Sequence, residues 1–260
     1  LSAERQILHE AGPARLVIDL DHGARLASLQ VFGHELLVTA DEDPIGWGCY
    51  PMAPFAGRVR RGRFAFGGVD HELPINFPPH AIHGSVFDKA WSADSDTEFS
   101  TNLGAAWPFP GRARHSVTLG PESLTMSLEV LSHGDPMPAS CGWHPWFRRR
   151  LDGGEPAGLA FEAGFMELRD DEGIPSGERV PPPVGPWDDC FGDIRRWPVV
   201  TWQGALELRM ETSCEFLVVY TERDDAICVE PQTAPPNSLP FVVEPGHPLV
   251  ATTTWNWQVA

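Results

Sequence analysis

Apolar and polar residues alternate strictly along several stretches of the chain. Leu124, Met126, Leu128 and Val130 are separated by polar neighbours, the period-two pattern of a strand with one face buried. Val117 and Leu119 carry the same pattern before Gly120-Pro121-Glu122-Ser123, so residues 117–130 predict a β-hairpin. Leu206, Leu208 and Met210 alternate with Glu207, Arg209 and Glu211, and apolar runs at 216–220 and 227–229 follow. Nearer the N-terminus, clusters at 16–18, 26–31 and 36–38 are divided by Asp21-His22-Gly23 and Phe32-Gly33-His34, which read as tight turns. Residues 151–186 are rich in Gly, Pro, Asp and Glu, with short strand-like pieces at 159–161 and 166–168. They predict long surface connections. No stretch holds a 3.6-residue period and no period of 20–50 residues recurs, which disfavours α/β folds, solenoids and propellers. The pattern predicts an all-β protein of antiparallel strands.

Composition sharpens this picture. Twenty-six Pro and 25 Gly, with 10 Trp and 14 Phe against 2 Tyr, describe many short segments punctuated by turns. A β-sandwich of 260 residues is commonly one unit, so residues 1–260 are expected to form a single domain. The formal net charge of −17 argues against nucleic acid and anionic membrane surfaces as partners, since both require a basic footprint. Cys49, Cys141, Cys190, Cys214 and Cys228 are odd in number and form no Cys-x-x-Cys pair, so buried thiols are expected rather than a disulfide framework or zinc ribbon. With no apolar run near twenty residues and no basic-then-apolar leader pattern, a cytoplasmic location is expected.

Four segments carry candidate chemistry. Residues 73–91 place Asn76, His80 and His83 beside Pro78, Pro79 and Gly84, a rigid loop suited to presenting an imidazole. Equally, those histidines could simply satisfy their hydrogen bonds at a buried turn. His144 lies among Trp143, Trp146 and Phe147 and before Pro145, either as a functional group or as a core histidine. Glu230 follows Ile227-Cys228-Val229 at a strand end, where partial desolvation raises a carboxyl pKa and suits a general base; a surface glutamate is the alternative. Asp188 and Asp189 stand between aromatics, one expected to face a pocket and the other solvent. Arg58, Arg60, Arg61 and Arg63 form the chain's basic segment, read mainly as a charged hairpin edge.

Taken in order, Gly57-Arg58-Val59 with Gly62-Arg63-Phe64, the 76–91 stretch with Ile82-His83-Gly84 and Phe87-Asp88-Lys89, and His144-Pro145-Trp146-Phe147 resemble the aldose 1-epimerase (mutarotase) family. Ile174-Pro175-Ser176-Gly177-Glu178, Asp188-Asp189-Cys190-Phe191, Val229-Glu230-Pro231-Gln232, and Glu244-Pro245-Gly246 with Thr253-Thr254-Trp255 extend the resemblance over most of the chain. It implies an antiparallel β-supersandwich of the galactose mutarotase type with a sugar cleft, His144 as general acid and Glu230 as general base. It also implies that Arg58, Asn76, His83 and Asp188 bind a small-molecule sugar, with no cofactor and no metal. Trp146 stands where many members have Tyr, and Asp189 where many animal-type members have His.

Anomer exchange requires removing the C1 hydroxyl proton while protonating the ring oxygen, then rotation about C1–C2 and closure. A carboxylate and an imidazolium, expected on opposite sides of the hemiacetal, supply both transfers. Nearby carboxylates are expected to keep His144 protonated. Trp47, Trp143 and Trp146 are candidates for an aromatic wall or for core packing. Three other readings stand beside this one. A hexose-6-phosphate 1-epimerase would use Arg60, Arg61 and Arg63 as an anion site, although the net charge opposes it. A non-catalytic carbohydrate-binding sandwich would have no need of an acid–base pair. A metal site of His80, His83 and His144 would lack the helical spacing of zinc enzymes. Glu244 is assigned to a surface turn.

Overall fold

The computed structural model describes residues 5–260. The predicted hairpin is present: Gly111–Leu119 and Ser123–Ser132 run antiparallel and close at Leu119 opposite Leu124. Leu124, Met126, Leu128 and Val130 are fully buried while the residues between them are not, as the alternation requires. Ser123–Ser132 pairs in turn with Leu249–Val259, and that strand with Leu206–Thr212. These strands, extended by Glu98–Asn102, form one layer.

A second layer begins with Gln6–Ala11, Ala14–Asp19 and Arg25–Val31. It continues through Cys49–Met52 to Gly142–Arg148, Ala226–Gln232 and Phe216–Tyr220, every pairing antiparallel. The 15-residue strand Asp188–Trp202 belongs to both layers. Its first residues pair with Phe216–Tyr220 and its last with Leu206–Thr212. The fold is all-β, and Arg60–Gly62 is the one helical turn among the described residues.

The 151–186 region departs from the expected surface connections. Gly158–Arg169 is a 12-residue strand along Asp188–Trp202, and Pro175–Val180 pairs with its far end. Register shifts between Ala160 and Glu162 and between Glu162 and Ala163 interrupt the alternation. A bulge switches which residues face inward, so one continuous strand reads as two fragments.

The apolar core divides into two clusters, and this division positions the cavity. The larger lies between the layers and takes Trp143 and Phe147 from Gly142–Arg148, with Leu217, Val219, Ile227 and Val229 from the neighbouring strands. The smaller lies on the opposite face of the second layer, with Tyr50, Met52, Phe87, Trp146, Ala226 and Cys228. All five cysteines are buried and unbridged. Among the described residues, no helix is long and apolar enough to cross a membrane.

Candidate active site

Strand alternation selects the residues on the outer face of the second layer. With Trp143 and Phe147 turned into the core, His144 and Trp146 must point the other way. Ile227 and Val229 likewise leave Cys228, Glu230 and Gln232 on that face, and Leu217 and Val219 leave Val218 and Tyr220. Gly142 pairs with Gln232 and Trp146 with Cys228, a register that sets His144 across from Glu230. Tyr50 pairs with His144 on one side and Val218 with Glu230 on the other. Tyr50, His144, Glu230 and Val218 therefore form one cross-strand row.

Above this row is a cavity of about 510 Å³ whose lining includes Arg58, His83, His144, Trp146, Asp188 and Glu230. The 76–84 loop brings His83 to it. Phe77 and His80 exchange two backbone hydrogen bonds of 3.1 and 2.7 Å, and the His83 amide donates to the Gly57 carbonyl at 3.0 Å. Arg58 pairs with Ile82 and Val59 with Ala81. His83 is held at φ 60°, a left-handed conformation uncommon for residues other than glycine. The next residue, Gly84 at φ +83°, lies against the Ala53 backbone, where a Cβ would collide.

Five predicted residues, Arg58, His83, His144, Asp188 and Glu230, thus share one cavity. Asn76 does not line it. Its amide donates to the Ile82 carbonyl at 3.0 Å and accepts from the Ile82 amide at 2.8 Å, so it clamps the residue before His83. His80 is a satisfied turn histidine: Nδ1 accepts from the Arg61 amide at 3.1 Å and Nε2 bonds the Glu172 carbonyl at 3.0 Å. A metal site of His80, His83 and His144 is therefore not assembled.

Glu230 and His144 are in direct contact, Oε1 to Nε2 at 3.3 Å, and Gln232 Nε2 donates to the other carboxylate oxygen at 3.0 Å. Tyr50 and Trp146 stack on the imidazole at centroid distances of 4.9 and 5.2 Å, and His83 meets it edge-on at 4.8 Å. Burial in these surroundings pushes the Glu230 carboxyl well above its ordinary pKa, with Asp188 adding to the effect. The same burial lowers the His144 imidazole to about 3 and holds His83 well below its usual range. The expected imidazolium is thus replaced by a pair of groups that both favour neutrality. Their 3.3 Å contact is close enough for a proton to pass from carboxyl to imidazole.

Asp188 faces the cavity and receives Arg169 Nη1 at 2.7 Å and Arg58 Nη2 at 3.5 Å. Asp189 does not line the cavity; it is half-buried, and Arg169 Nε donates to its Oδ1 at 2.9 Å. Of the three tryptophans, only Trp146 lines the cavity. Trp143 is fully buried and donates to His115 Nε2 at 3.1 Å, and Trp47 carries the Arg25 guanidinium 4.0 Å from its ring centroid. Arg60 is bound by Asp170 and Glu172, Arg61 by Glu172, and Arg63 lies on the exposed Arg63–Phe66 hairpin.

Sequence reasoning passed over Tyr50, Phe77, Gln232 and Arg169. Phe77 is 38% exposed on the cavity wall, and its place beside Pro78-Pro79 in a rigid loop was an available signal. Nothing local marks Tyr50 or Arg169, which reach the site through strand pairing.

The family model described as aldose 1-epimerase matches residues 6–255. Among solved structures, a galactose mutarotase-like protein from Clostridium acetobutylicum aligns with a TM-score of 0.85 and 19% identity, covering 100% of this chain and 96% of that one. An aldose epimerase homologue from C. elegans aligns with a TM-score of 0.83 and 16% identity, covering 99% of this chain and 100% of that one. At these identities the likeness is one of fold. In sequence, the uncharacterized protein YphB of Escherichia coli K12 is 30% identical over 105 residues, which span 38% of this chain and 36% of that protein.

Proposed function

The chain belongs to the aldose 1-epimerase family, and we propose on that premise that its cavity interconverts the α and β anomers of an unphosphorylated hexose. The observation that carries this reading is the buried contact of His144 Nε2 with Glu230 Oε1 at 3.3 Å on the cavity floor. Passage of the Glu230 carboxyl proton to His144 Nε2 creates a carboxylate base and an imidazolium acid in one step. Glu230 then takes the proton of the C1 hydroxyl while His144 protonates the ring oxygen and the C1–O5 bond breaks. After rotation about C1–C2 the transfers reverse, and the pair ends with the one proton it began with.

The two groups were expected on opposite sides of the hemiacetal, yet they are adjacent. Adjacency suits the chemistry, because the two reacting oxygens are attached to the same carbon. Arg58 and a neutral His83 are assigned to the sugar oxygens, and Asp188, held by Arg169, to hydroxyl donors. Phe77 is the better platform for the apolar face of the ring: Arg58 lies 5.6 Å from its ring centroid but the ring is exposed, whereas Trp146 is buried under His144 and Arg223, 4.6 Å from its ring centroid. Asn76 acts by positioning His83. The layers, tied by Asp188–Trp202, work as a single domain.

Charge supports an unphosphorylated substrate. Besides the neutral Glu230, the lining has carboxylates at Asp41, Asp43, Asp188 and Glu222 but arginines only at Arg58 and Arg223. Both arginines are already paired, Arg58 with Asp188 and Arg223 with Asp41 and Asp225. A phosphate dianion would meet a net negative field. A buried acid–base pair also has no use in a module that only binds sugar. Polarimetry of freshly dissolved α-glucose and α-galactose, with their 6-phosphates in parallel, tests the proposal. Acceleration of free sugars is expected, and acceleration of the 6-phosphates alone, or of none, would overturn it.

A further inference from the structure

We propose that the cavity floor is also a binding site for a soft divalent cation such as Zn²⁺, with His144 Nε2, Cys228 Sγ and a Glu230 carboxylate oxygen as its ligands. The three donors come from two adjacent strands. Cys228 and Glu230 are two residues apart on one face of Ala226–Gln232, and His144 stands across from Glu230 in the register that pairs Trp146 with Cys228. Their donor atoms all lie within 4.8 Å of one another, and all three residues are buried.

The spacing fits a tetrahedral ion. Ligands at about 2.0–2.1 Å from zinc stand roughly 3.3–3.4 Å apart, and His144 Nε2 and Glu230 Oε1 are already 3.3 Å apart. A sulfur bound at about 2.3 Å would stand roughly 3.6 Å from either, so the thiol need move inward by only about an ångström. His144 and Glu230 line the cavity while Cys228 is buried and does not, so an exchangeable fourth ligand would have to enter from the cavity side of the first two. Gln232 Nε2, donating to Glu230 Oε2 at 3.0 Å, orients the carboxylate as an outer partner of the ion. A thiolate–imidazole–carboxylate set selects zinc-like ions over Mg²⁺ and Ca²⁺, which favour oxygen ligands.

Such an ion would occupy the nitrogen and the oxygen that share the proton of the proposed reaction. Metal and proton then compete, and the site is inhibitory. That consequence rests on the proposed epimerase activity, whereas the binding does not.

Binding is tested without sugar. Protein stripped with EDTA and desalted is titrated with Co²⁺, whose coordination by the deprotonated Cys228 gives a thiolate-to-cobalt charge-transfer band. The band is expected in wild type, displaced by Zn²⁺ and unaffected by excess Mg²⁺. It is expected to vanish in Cys228→Ser and in Cys228→Ala, to persist in Cys141→Ala, and to need at least tenfold more Co²⁺ in Glu230→Gln. Two Cys228 variants guard against a folding defect in either, with circular dichroism as the check. No band in wild type, or an undiminished band in folded Cys228 variants, would overturn the site. In the activity arm, micromolar Zn²⁺ is expected to inhibit wild type reversibly, with EDTA restoring the rate. Binding without inhibition would overturn the competition. A cobalt band in a protein that accelerates no sugar would instead sink the epimerase reading and leave the metal site standing.

Discussion

Replacing Glu230 by Gln separates catalysis from every other role of that residue. The amide is nearly isosteric. Its oxygen can still accept from Gln232 Nε2, and its NH₂ can donate to His144 Nε2, so both contacts of the carboxyl have substitutes. What is lost is basicity. A positioned general base contributes about 10²–10⁴-fold, so the variant should lose at least about two orders of magnitude in kcat, or roughly 2.7 kcal/mol of transition-state stabilisation. Sugar affinity should fall far less, because a neutral hydrogen bond replaces a charge-assisted one at a cost of about 1 kcal/mol, roughly fivefold in binding. The stability effect has the opposite sign. Folding raises the Glu230 pKa, so the unfolded chain releases that proton first, and wild type loses stability as pH rises above the ordinary glutamate range towards the folded value. The amide of the variant carries no such penalty. Thermal unfolding should therefore show variant and wild type alike at pH 4 and the variant more stable at pH 8, while polarimetry shows it slow at both. The control is Glu244→Gln, an exposed carboxylate at the Glu244–His247 bridge, expected to be nearly silent. A dead Glu244→Gln beside a normal Glu230→Gln would refute the placement of the base.

The remaining predictions address the rest of the cavity. The kcat/KM profile should be flat around neutrality and fall on the acid side as pH approaches the imidazole pKa of about 3; a decline centred near the ordinary histidine pKa would contradict the neutral pair. His144→Gln should lose at least about a hundredfold in kcat with its fold retained, as read by circular dichroism. Arg58→Ala should lower kcat/KM by roughly tenfold or more, the worth of a charged hydrogen bond to a sugar oxygen, and an unchanged value in steady-state kinetics would remove Arg58 from the site. Phe77→Ala should raise KM several-fold with little change in kcat, so a kcat defect at unchanged KM would show that it supports the loop rather than the sugar.

Legibility of the fold in the sequence followed burial. Ser123–Ser132 and Leu206–Thr212 each place one face in the core and one towards solvent, so their alternation is clean enough to read directly. Gly158–Arg169 alternates only exposed with half-buried positions at first, is half-buried or buried on both faces from Ala163 to Glu167, and is bulged, so no clean period runs through it. The candidate residues divide in a similar way. His83 and Arg58 are recognisable because the backbone that fixes them is local, through the Arg58–Ile82 pairing and Gly84. Asn76 lies in the same loop, but its placement is not legible there: adjacency to a candidate histidine cannot tell a side chain that faces the cavity from one whose amide is spent on Ile82.

The state of the central pair is a different kind of property. Glu230 could be suspected of a raised pKa because it follows an apolar run, and the structure agrees in direction. His144 invited the opposite inference, since a carboxylate neighbour ordinarily stabilises an imidazolium. What reverses it is desolvation by groups remote in sequence: Tyr50 from Cys49–Met52 on one side and Trp146 stacked on the other, with His83 closing the edge. In that enclosure two separated charges are costlier than two neutral groups, unless a substrate oxygen stabilises them. In the proposed reaction the sugar then has a role beyond being acted on. Its C1 hydroxyl and ring oxygen would supply the hydrogen-bond partners that the carboxylate and imidazolium otherwise lack, so the reactive ion pair would form where substrate is present to use it.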